Sequence, residues 1–175
     1  MTPFKTVAVV ATPVEPLYAF MRDRLAELVP DLSDVRSIRV VERRKSRDGS
    51  VRLVNEWRAA TRLPSAVAGI VGADDLGWLD RAVYGKSDRV CRWEIEPFLF
   101  REHVQCEGTT TYESAMAGRG SRVTFAGRFE LDSSALQRHV GLLHQPVTRL
   151  VESIVTTLIP RNFRRMIDAA ARRCR

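Results

Sequence analysis

The stretch that decides the fold is residues 145–175, which read QPVTRLVESIVTTLIPRNFRRMIDAAARRCR. Its apolar residues recur at intervals of three and four, the period of an amphipathic α-helix with one broad apolar stripe. Pro160 interrupts the stripe, because proline removes an intrahelical hydrogen bond and clashes with the preceding turn. The sequence therefore predicts a long C-terminal helix that kinks or breaks near Leu158 and Ile159. We expect its first half to pack on a sheet, and the half from Arg161 onward to be basic and more exposed.

The chain upstream of about residue 132 contains mainly strand patterns. A first strand is predicted over Phe4–Thr12, and Thr12 with Glu15 has the spacing of a helix-capping box. The helix that follows is expected to run to about Val29. Alternating apolar and polar residues predict further strands over 35–45, 50–60, 90–96, 102–114 and 121–131. This order predicts an α+β fold with helices on one face of a curved sheet.

The segment 61–87 is harder to assign, because glycines interrupt it at Gly69, Gly72 and Gly77. It is compatible with a movable flap over a binding site, and equally with an ordinary surface excursion. Its second part, 75–84, has the pattern of one or two helical turns. In that interpretation Leu76, Leu79 and Val83 point inward.

The length and composition suit a single domain that spans residues 1–175, with 45% hydrophobic residues. Apolar runs are far shorter than the roughly 18 residues that a membrane span needs. Three cysteines lack any metal-ligand spacing, so we expect reduced thiols in a cytoplasmic protein without a signal peptide. No metal or other cofactor is predicted.

The chain is strongly basic, with a formal net charge of +7 and an isoelectric point near 10.0. Arginines are dense after residue 160. Such a patch can contact an anionic membrane surface or nucleic acid, or it can be a plain solvated face. No nucleic-acid-binding motif accompanies it, so the sequence does not favour nucleic acid. Docking of the basic tail to an anionic membrane stays as a secondary expectation.

Four features occur in a characteristic order: the turn into the first helix at 12–20, the hairpin signal at 47–49, the glycine turn before the late strand at 118–125, and the C-terminal amphipathic helix. Together they resemble the START-like superfamily, the helix-grip fold of polyketide cyclases and lipid-transfer domains. The resemblance implies a curved antiparallel β-sheet wrapped around the long C-terminal helix. It also implies a cavity between them for a hydrophobic small molecule or lipid.

Strand alternation places large aromatic residues and a few polar ones on the inner face of the sheet. Gly127, at the centre of that face, suggests room for something large to approach. These side chains are either plain core or the lining of a cavity with a few orienting polar groups. The residues expected to contact a ligand are Asn55, Trp57, Trp93, Thr110, Tyr112, Phe125, Phe129, Ile154 and Leu158.

The sequence contains no catalytic motif that would identify an enzyme, and it has only three histidines. The inner aromatic face and the amphipathic C-terminal helix favour a carrier or sensor for an apolar small molecule or lipid. The alternative is a cyclase- or dehydratase-type enzyme acting on such a ligand. That alternative requires an acid or base that faces the cavity, for which His103, Glu94 and Glu107 are the candidates.

Overall fold

The computed structural model of the protein describes residues 2–60, 76–153, 157 and 159–174. The described strands are β1 (Thr2–Val10), β2 (Val35–Lys45), β3 (Val51–Ala59), β4 (Gly77–Tyr84), β5 (Val90–Pro97), β6 (Val104–Ala115) and β7 (Gly120–Leu131). The described α-helices are α1 (Val14–Asp23), α2 (Ser133–Val140), α3 (His144–Ser153) and α4 (Ile159–Arg173). A 3₁₀ segment, Leu25–Asp31, extends α1, and another, Arg101–His103, precedes β6.

All the described strands belong to one seven-stranded antiparallel sheet with the order β1-β7-β6-β5-β4-β3-β2. From β2 to β7 each strand pairs with its neighbour in sequence, and β1 returns to pair with β7. Helix α4 packs on β1 and against α1. The α+β architecture, with a curved antiparallel sheet and a long C-terminal helix, is confirmed.

The prediction of helical turns over 75–84 was wrong for the described part, because residues 77–84 form strand β4 between β3 and β5. The strand carries apolar residues on both faces, so a helical period fits its sequence as well as an alternating one. Pairing with two neighbouring strands decides the outcome. Trp78, Asp80, Ala82 and Tyr84 share the inner face, opposite the side that carries Leu79 and Val83.

Thr12 does not cap the first helix, contrary to the sequence prediction. Pro13 occupies the N-cap position of α1 without a side-chain hydrogen bond. The Thr12 hydroxyl instead donates to the carbonyl oxygen of Ala171 at 3.2 Å, and the Thr12 carbonyl accepts from the Ser121 hydroxyl at 2.6 Å. Thr12 is buried, and its two hydrogen bonds join the end of α4 to the start of β7.

The centre of the inner face is filled by the indole of Trp93. In the sheet register Phe4, Gly127, Gly108 and Trp93 lie side by side across β1, β7, β6 and β5. A Cβ atom placed on Gly108 or Gly127 would come within 2.5 Å of the Trp93 ring. The two glycines therefore give the indole room to lie flat on the sheet. The large group that Gly127 admits is this side chain.

The Trp93 ring begins an aromatic stack that reaches the last helix. Its centroid lies 4.6 Å from that of Phe125, and Phe125 lies 4.9 Å from Phe163 of α4, both pairs nearly parallel. Such stacking adds about 0.5–1.5 kcal/mol per pair to the burial of the rings. Phe163 and Ile167 are fully buried in the core.

The prediction that the chain from Arg161 onward forms an exposed, basic half was wrong, because α4 buries one face against the sheet. Four of its arginines contact the 3₁₀ segment or the loop after it. Arg161 contacts Asp34 at 2.8 Å, while Arg172 and Arg173 contact Asp31 at 3.3 and 2.9 Å. These pairs neutralise part of the positive charge that the membrane-docking expectation relies on.

Helices α2 and α3 form a smaller apolar cluster of their own. Leu136 and Val147 are fully buried there, with Leu99, Phe100 and Leu131 packed around them. The described part of α3 thus packs beside the sheet end and not across its centre. Within the described ranges, no helix is both long and apolar enough to cross a bilayer.

Replacing Gly127 by alanine tests whether the lack of a side chain at this position gives the Trp93 indole its room. The added methyl group would meet the indole at 2.5 Å and the Glu107 carbonyl oxygen at 2.6 Å, so we expect Gly127→Ala to lower the free energy of unfolding by about 1–3 kcal/mol in urea denaturation. In a Trp93→Phe background the alanine should cost less, because the smaller ring vacates the contact. Equal costs in both backgrounds would contradict the packing described.

Truncating Phe163 tests which half of the C-terminal segment grips the sheet. Phe163 is 2% exposed, so Phe163→Ala should lower the free energy of unfolding by about 3–5 kcal/mol in the same assay. The neighbouring exposed Arg164→Ala variant is the control, and it should stay within about 0.5 kcal/mol of the wild type. Similar small effects of both variants would restore the original interpretation of an exposed half.

Candidate functional site

A polar pair interrupts the apolar inner face between β3 and β4. Asn55 lies directly opposite Asp80, and Trp57 lies directly opposite Trp78. The Asn55 amide nitrogen donates to Asp80 Oδ2 at 3.1 Å, and the two indoles stack with centroids 5.5 Å apart. We call these four residues, Asn55, Trp57, Trp78 and Asp80, the inner polar patch.

Two polar atoms of the inner polar patch are buried without a hydrogen-bond partner among the described residues. They are the amide oxygen of Asn55, whose residue is 1% exposed, and the indole nitrogen of Trp57. Leaving such an atom unpaired costs about 1–3 kcal/mol. Buried polar groups are normally paired with protein, water or ligand. The patch thus offers an acceptor and a donor to a further molecule.

Asp80 is the one carboxyl group on the inner face within the described ranges. Burial raises its pKa from the ordinary 3.8 to about 6, while the hydrogen bond from Asn55 and the nearby Trp57 indole oppose the shift. The Trp57 indole N–H therefore lies near the carboxylate, although it does not make a hydrogen bond of full geometry with it. The group can therefore exchange a proton near neutral pH, which ordinary surface carboxylates do not do.

The structure places the other predicted contact residues in two different settings. Trp93 donates its indole N–H to Thr110 Oγ1 at 3.2 Å and stacks on Phe125. These three side chains therefore contact one another within the core, and the indole N–H is paired there. Tyr112 packs edge-on against Tyr18 of α1, with centroids 5.0 Å apart. Their contact with a ligand stays a prediction.

Phe129 is buried on the inner face of β7, opposite Cys106. Ile154 and Leu158, the two contacts predicted on the C-terminal helix, lie outside the described residues. Among the predicted contacts on the sheet, Asn55 and Trp57 thus have buried polar atoms without a hydrogen-bond partner in the described part of the chain.

The sequence analysis missed Asp80 and Trp78, which complete the inner polar patch. The alternation of Trp78, Asp80, Ala82 and Tyr84 was the available signal, but the helical interpretation of this segment concealed it. The register of β4 against β3 brings Asp80 beside Asn55, and sequence patterns do not give a register between strands so far apart in the chain.

The acids and the histidine considered for catalysis lie elsewhere. Glu94 and Glu107 are exposed on the outer face, where Arg128 pairs with Glu107. His103 belongs to the 3₁₀ segment before β6, and its ring lies 3.6 Å from the Glu102 carboxylate. Glu94 and Glu107 thus lie on the outer face, so the enzyme hypothesis loses these two acids as candidates, and the structure adds Asp80 on the inner face.

A separate cleft of about 320 Å³ lies where β5 and β6 diverge. Its lining is dominated by charged side chains, so it does not match the apolar cavity that the sequence implied. The lining residues are Glu94, Ile95, Glu96, Arg101, Glu102, Val104, Gln105, Cys106, Glu107 and Arg128. Over the described ranges, no group of three or more histidine, cysteine or acidic side chains is placed to hold a metal ion.

The raised pKa of Asp80 predicts a specific pH dependence of stability. The folded chain binds the proton more tightly than the unfolded one, so this contribution is complete below about pH 4 and is lost as pH rises through about 6. Asp80→Asn should remove that loss, whereas Glu94→Gln should leave it unchanged. Urea unfolding from pH 4 to 7.5 and a carboxyl ¹³C NMR titration measure the two effects. A titration midpoint near 4 would contradict the prediction.

Comparisons with known proteins bear on the fold. No family model and no curated protein sequence matches the chain. Among solved structures, it is similar to the protein TTHA0849 from Thermus thermophilus, with 19% identity, a TM-score of 0.66, and 99% of this chain and 97% of the other covered. The Zhui aromatase/cyclase from Streptomyces sp. R1128 matches with 12% identity, 99% and 93% coverage, and a TM-score of 0.67.

Norcoclaurine synthase from Thalictrum flavum also matches, with 12% identity, 98% and 84% coverage, and a TM-score of 0.61. A further similar structure is Ara h 8.0201, with 16% identity, 99% and 97% coverage, and a TM-score of 0.58. Identities this low show a shared fold and not a shared activity. The chain therefore shares the helix-grip fold of these structures, which is the fold that its sequence resemblance implied.

Proposed function

We propose that this protein binds an apolar small molecule or lipid that carries a polar group, and acts as its carrier or sensor. The ligand would lie between the inner face of the sheet and the C-terminal helical segment, with its polar group at the inner polar patch. The carrying observation is the buried Asn55 Oδ1, which has no hydrogen-bond partner among the described residues, with the Trp57 indole N–H beside it. A mostly apolar site with a few orienting polar groups is the usual form of a small-molecule site.

The aromatic surroundings support an apolar body for the ligand. Trp57 is buried, while Trp78 beside it and Ile95, the residue opposite Asp80 on β5, are only half-buried. By contrast, the centre of the sheet is occupied by Trp93, Phe125 and Phe163. Space for a ligand is therefore better sought at the Trp78 end of the inner face.

A reducing location fits the three cysteines, which are all free thiols. Burial raises the pKa values of Cys91 and Cys106, which keeps both thiols protonated and unreactive at neutral pH. These features support the proposal of a cytoplasmic protein.

A matched pair of probes tests the binding proposal. We expect 2-naphthylmethanol to bind several-fold to about tenfold more tightly than 2-methylnaphthalene in isothermal titration calorimetry, because only the alcohol can hydrogen-bond to the patch. Asn55→Leu and Trp57→Phe should each reduce that difference, while Arg52→Gln on the outer face of β3 should not. Organic extraction of the purified protein followed by mass spectrometry should release an apolar molecule.

Two results would overturn the proposal. One is that neither probe binds and nothing is extracted. The other is that both probes bind with the same affinity in wild type and variants, which would place them away from the inner polar patch.

Asp80 supports a second candidate function, a cyclase- or dehydratase-type enzyme on the same ligand. A carboxyl group with a pKa of about 6 can take a proton from a bound substrate and return it at neutral pH. In that case Asp80→Asn would retain binding of the natural ligand and lose its conversion. The carrier or sensor function comes first, because one proton-exchanging group does not define a reaction.

A further inference from the structure

The Asp80 carboxylate has no counter-charge among the described residues. The groups that favour its charged form are neutral ones, the Asn55 amide and the Trp57 indole. Described arginines near this part of the sheet serve other acids: Arg81, next in sequence, contacts Glu96 at 3.0 Å on the outer face. Asp80 is half-buried, and a carboxylate that is partly withdrawn from water without a cation beside it is unfavourable.

The titratable groups that face Asp80 across the inner face do not supply a charge. They are Tyr84 on the same strand, Cys91 on β5 and Tyr112 on β6. Burial raises the pKa values of all three well above neutral, so each is uncharged near pH 7. The charge of Asp80 makes ionisation of these three groups still less favourable. None of them compensates the negative charge of Asp80.

The free hydrogen-bonding capacity beside Asp80 consists mainly of acceptors, because the Trp57 indole N–H already acts on the Asp80 carboxylate and favours its charged form. Asn55 uses its amide nitrogen on Asp80 Oδ2, which leaves its own oxygen as a second acceptor in the same place. Two neighbouring acceptors, one of them charged, are best matched by a group with several N–H donors and a positive charge. An alkylammonium group has three such donors, whereas a hydroxyl group has one.

We propose that the ligand of the inner polar patch is an apolar amine, bound as its cation by Asp80 and Asn55. This inference rests on the proposed binding function and names the chemical class of the ligand. The stacked indoles of Trp57 and Trp78 flank the acceptors and suit a cation as well, since aromatic faces attract positive charge. An apolar carboxylate is excluded from the same place by the charge of Asp80.

The test compares three probes that share one apolar body: 2-naphthylmethylamine, 2-naphthylmethanol and 2-naphthoic acid. At pH 7.5 we expect the amine to bind at least about tenfold more tightly than the alcohol, and the acid more weakly than either, in calorimetry at fixed ionic strength. The preference for the amine should shrink as pH falls from 7.5 to 5, because Asp80 takes up a proton with a pKa of about 6.

Variants then assign the preference to one carboxyl group. Asp80→Asn should bind amine and alcohol with similar affinity, while Glu94→Gln, which removes an exposed outer-face charge, should keep the full preference. The pH series on the unmodified protein gives the same information if Asp80→Asn does not fold.

The outcomes separate the two proposals. Equal binding of amine and alcohol by the wild-type protein at pH 7.5, or a preference that survives in Asp80→Asn, overturns the amine proposal and leaves the binding function intact. Absence of binding by all three probes, together with an extraction that releases no apolar molecule, overturns the binding function itself.

Discussion

The contact on which the structure depends is the indole of Trp93 lying flat across Gly108 and Gly127. Any side chain at either glycine would lift the ring from the sheet, and Phe125 stacks on the ring only because it lies flat. Phe163 of α4 then stacks on Phe125, which carries the contact from the sheet to the last helix. One row of paired residues across four strands thus sets how closely the helix approaches. Because protein interiors are packed as densely as organic crystals, a small change in side-chain volume in this row should disturb packing in the surrounding core.

The last helix is both basic and deeply buried, because its arginines and its apolar residues lie on different sides of the helix. Its core-facing side carries Phe163, Ile167 and small alanines, which allow close approach to the sheet. Its flanks carry the arginines that reach Asp31 and Asp34 after the first helix. Exposed pairs of this kind contribute little to stability, typically less than about 1 kcal/mol each. They fix the position of the helix and reduce the free charge of this segment.

The two ends of the inner face differ in how their polar groups are satisfied. At the α1 end, Tyr18 donates to the Gly85 carbonyl at 2.7 Å and Tyr84 donates to the Met21 carbonyl at 3.2 Å, so hydroxyl groups join helix to sheet. At the other end, Asn55 and Trp57 have polar atoms without a hydrogen-bond partner in the described part of the chain, beside the half-buried carboxyl group of Asp80. Proteins tolerate such cost mainly at functional sites. The first end is therefore structural, and the second is where we propose that a ligand binds.

The sequence by itself determined the fold class, most strand positions and the singular character of Asn55, because strand alternation and helical periodicity follow from local geometry. It also indicated an unusual contact at Gly127, though not that the protein's own Trp93 makes it. Only the tertiary structure decided that β4 is a strand, since its residues are apolar on both faces and pairing alone distinguishes the alternatives. The same pairing placed Asp80 beside Asn55. The burial of α4 was likewise decided by partners distant in sequence, above all the aromatic stack of Phe163 on Phe125, which no local pattern of charges reveals.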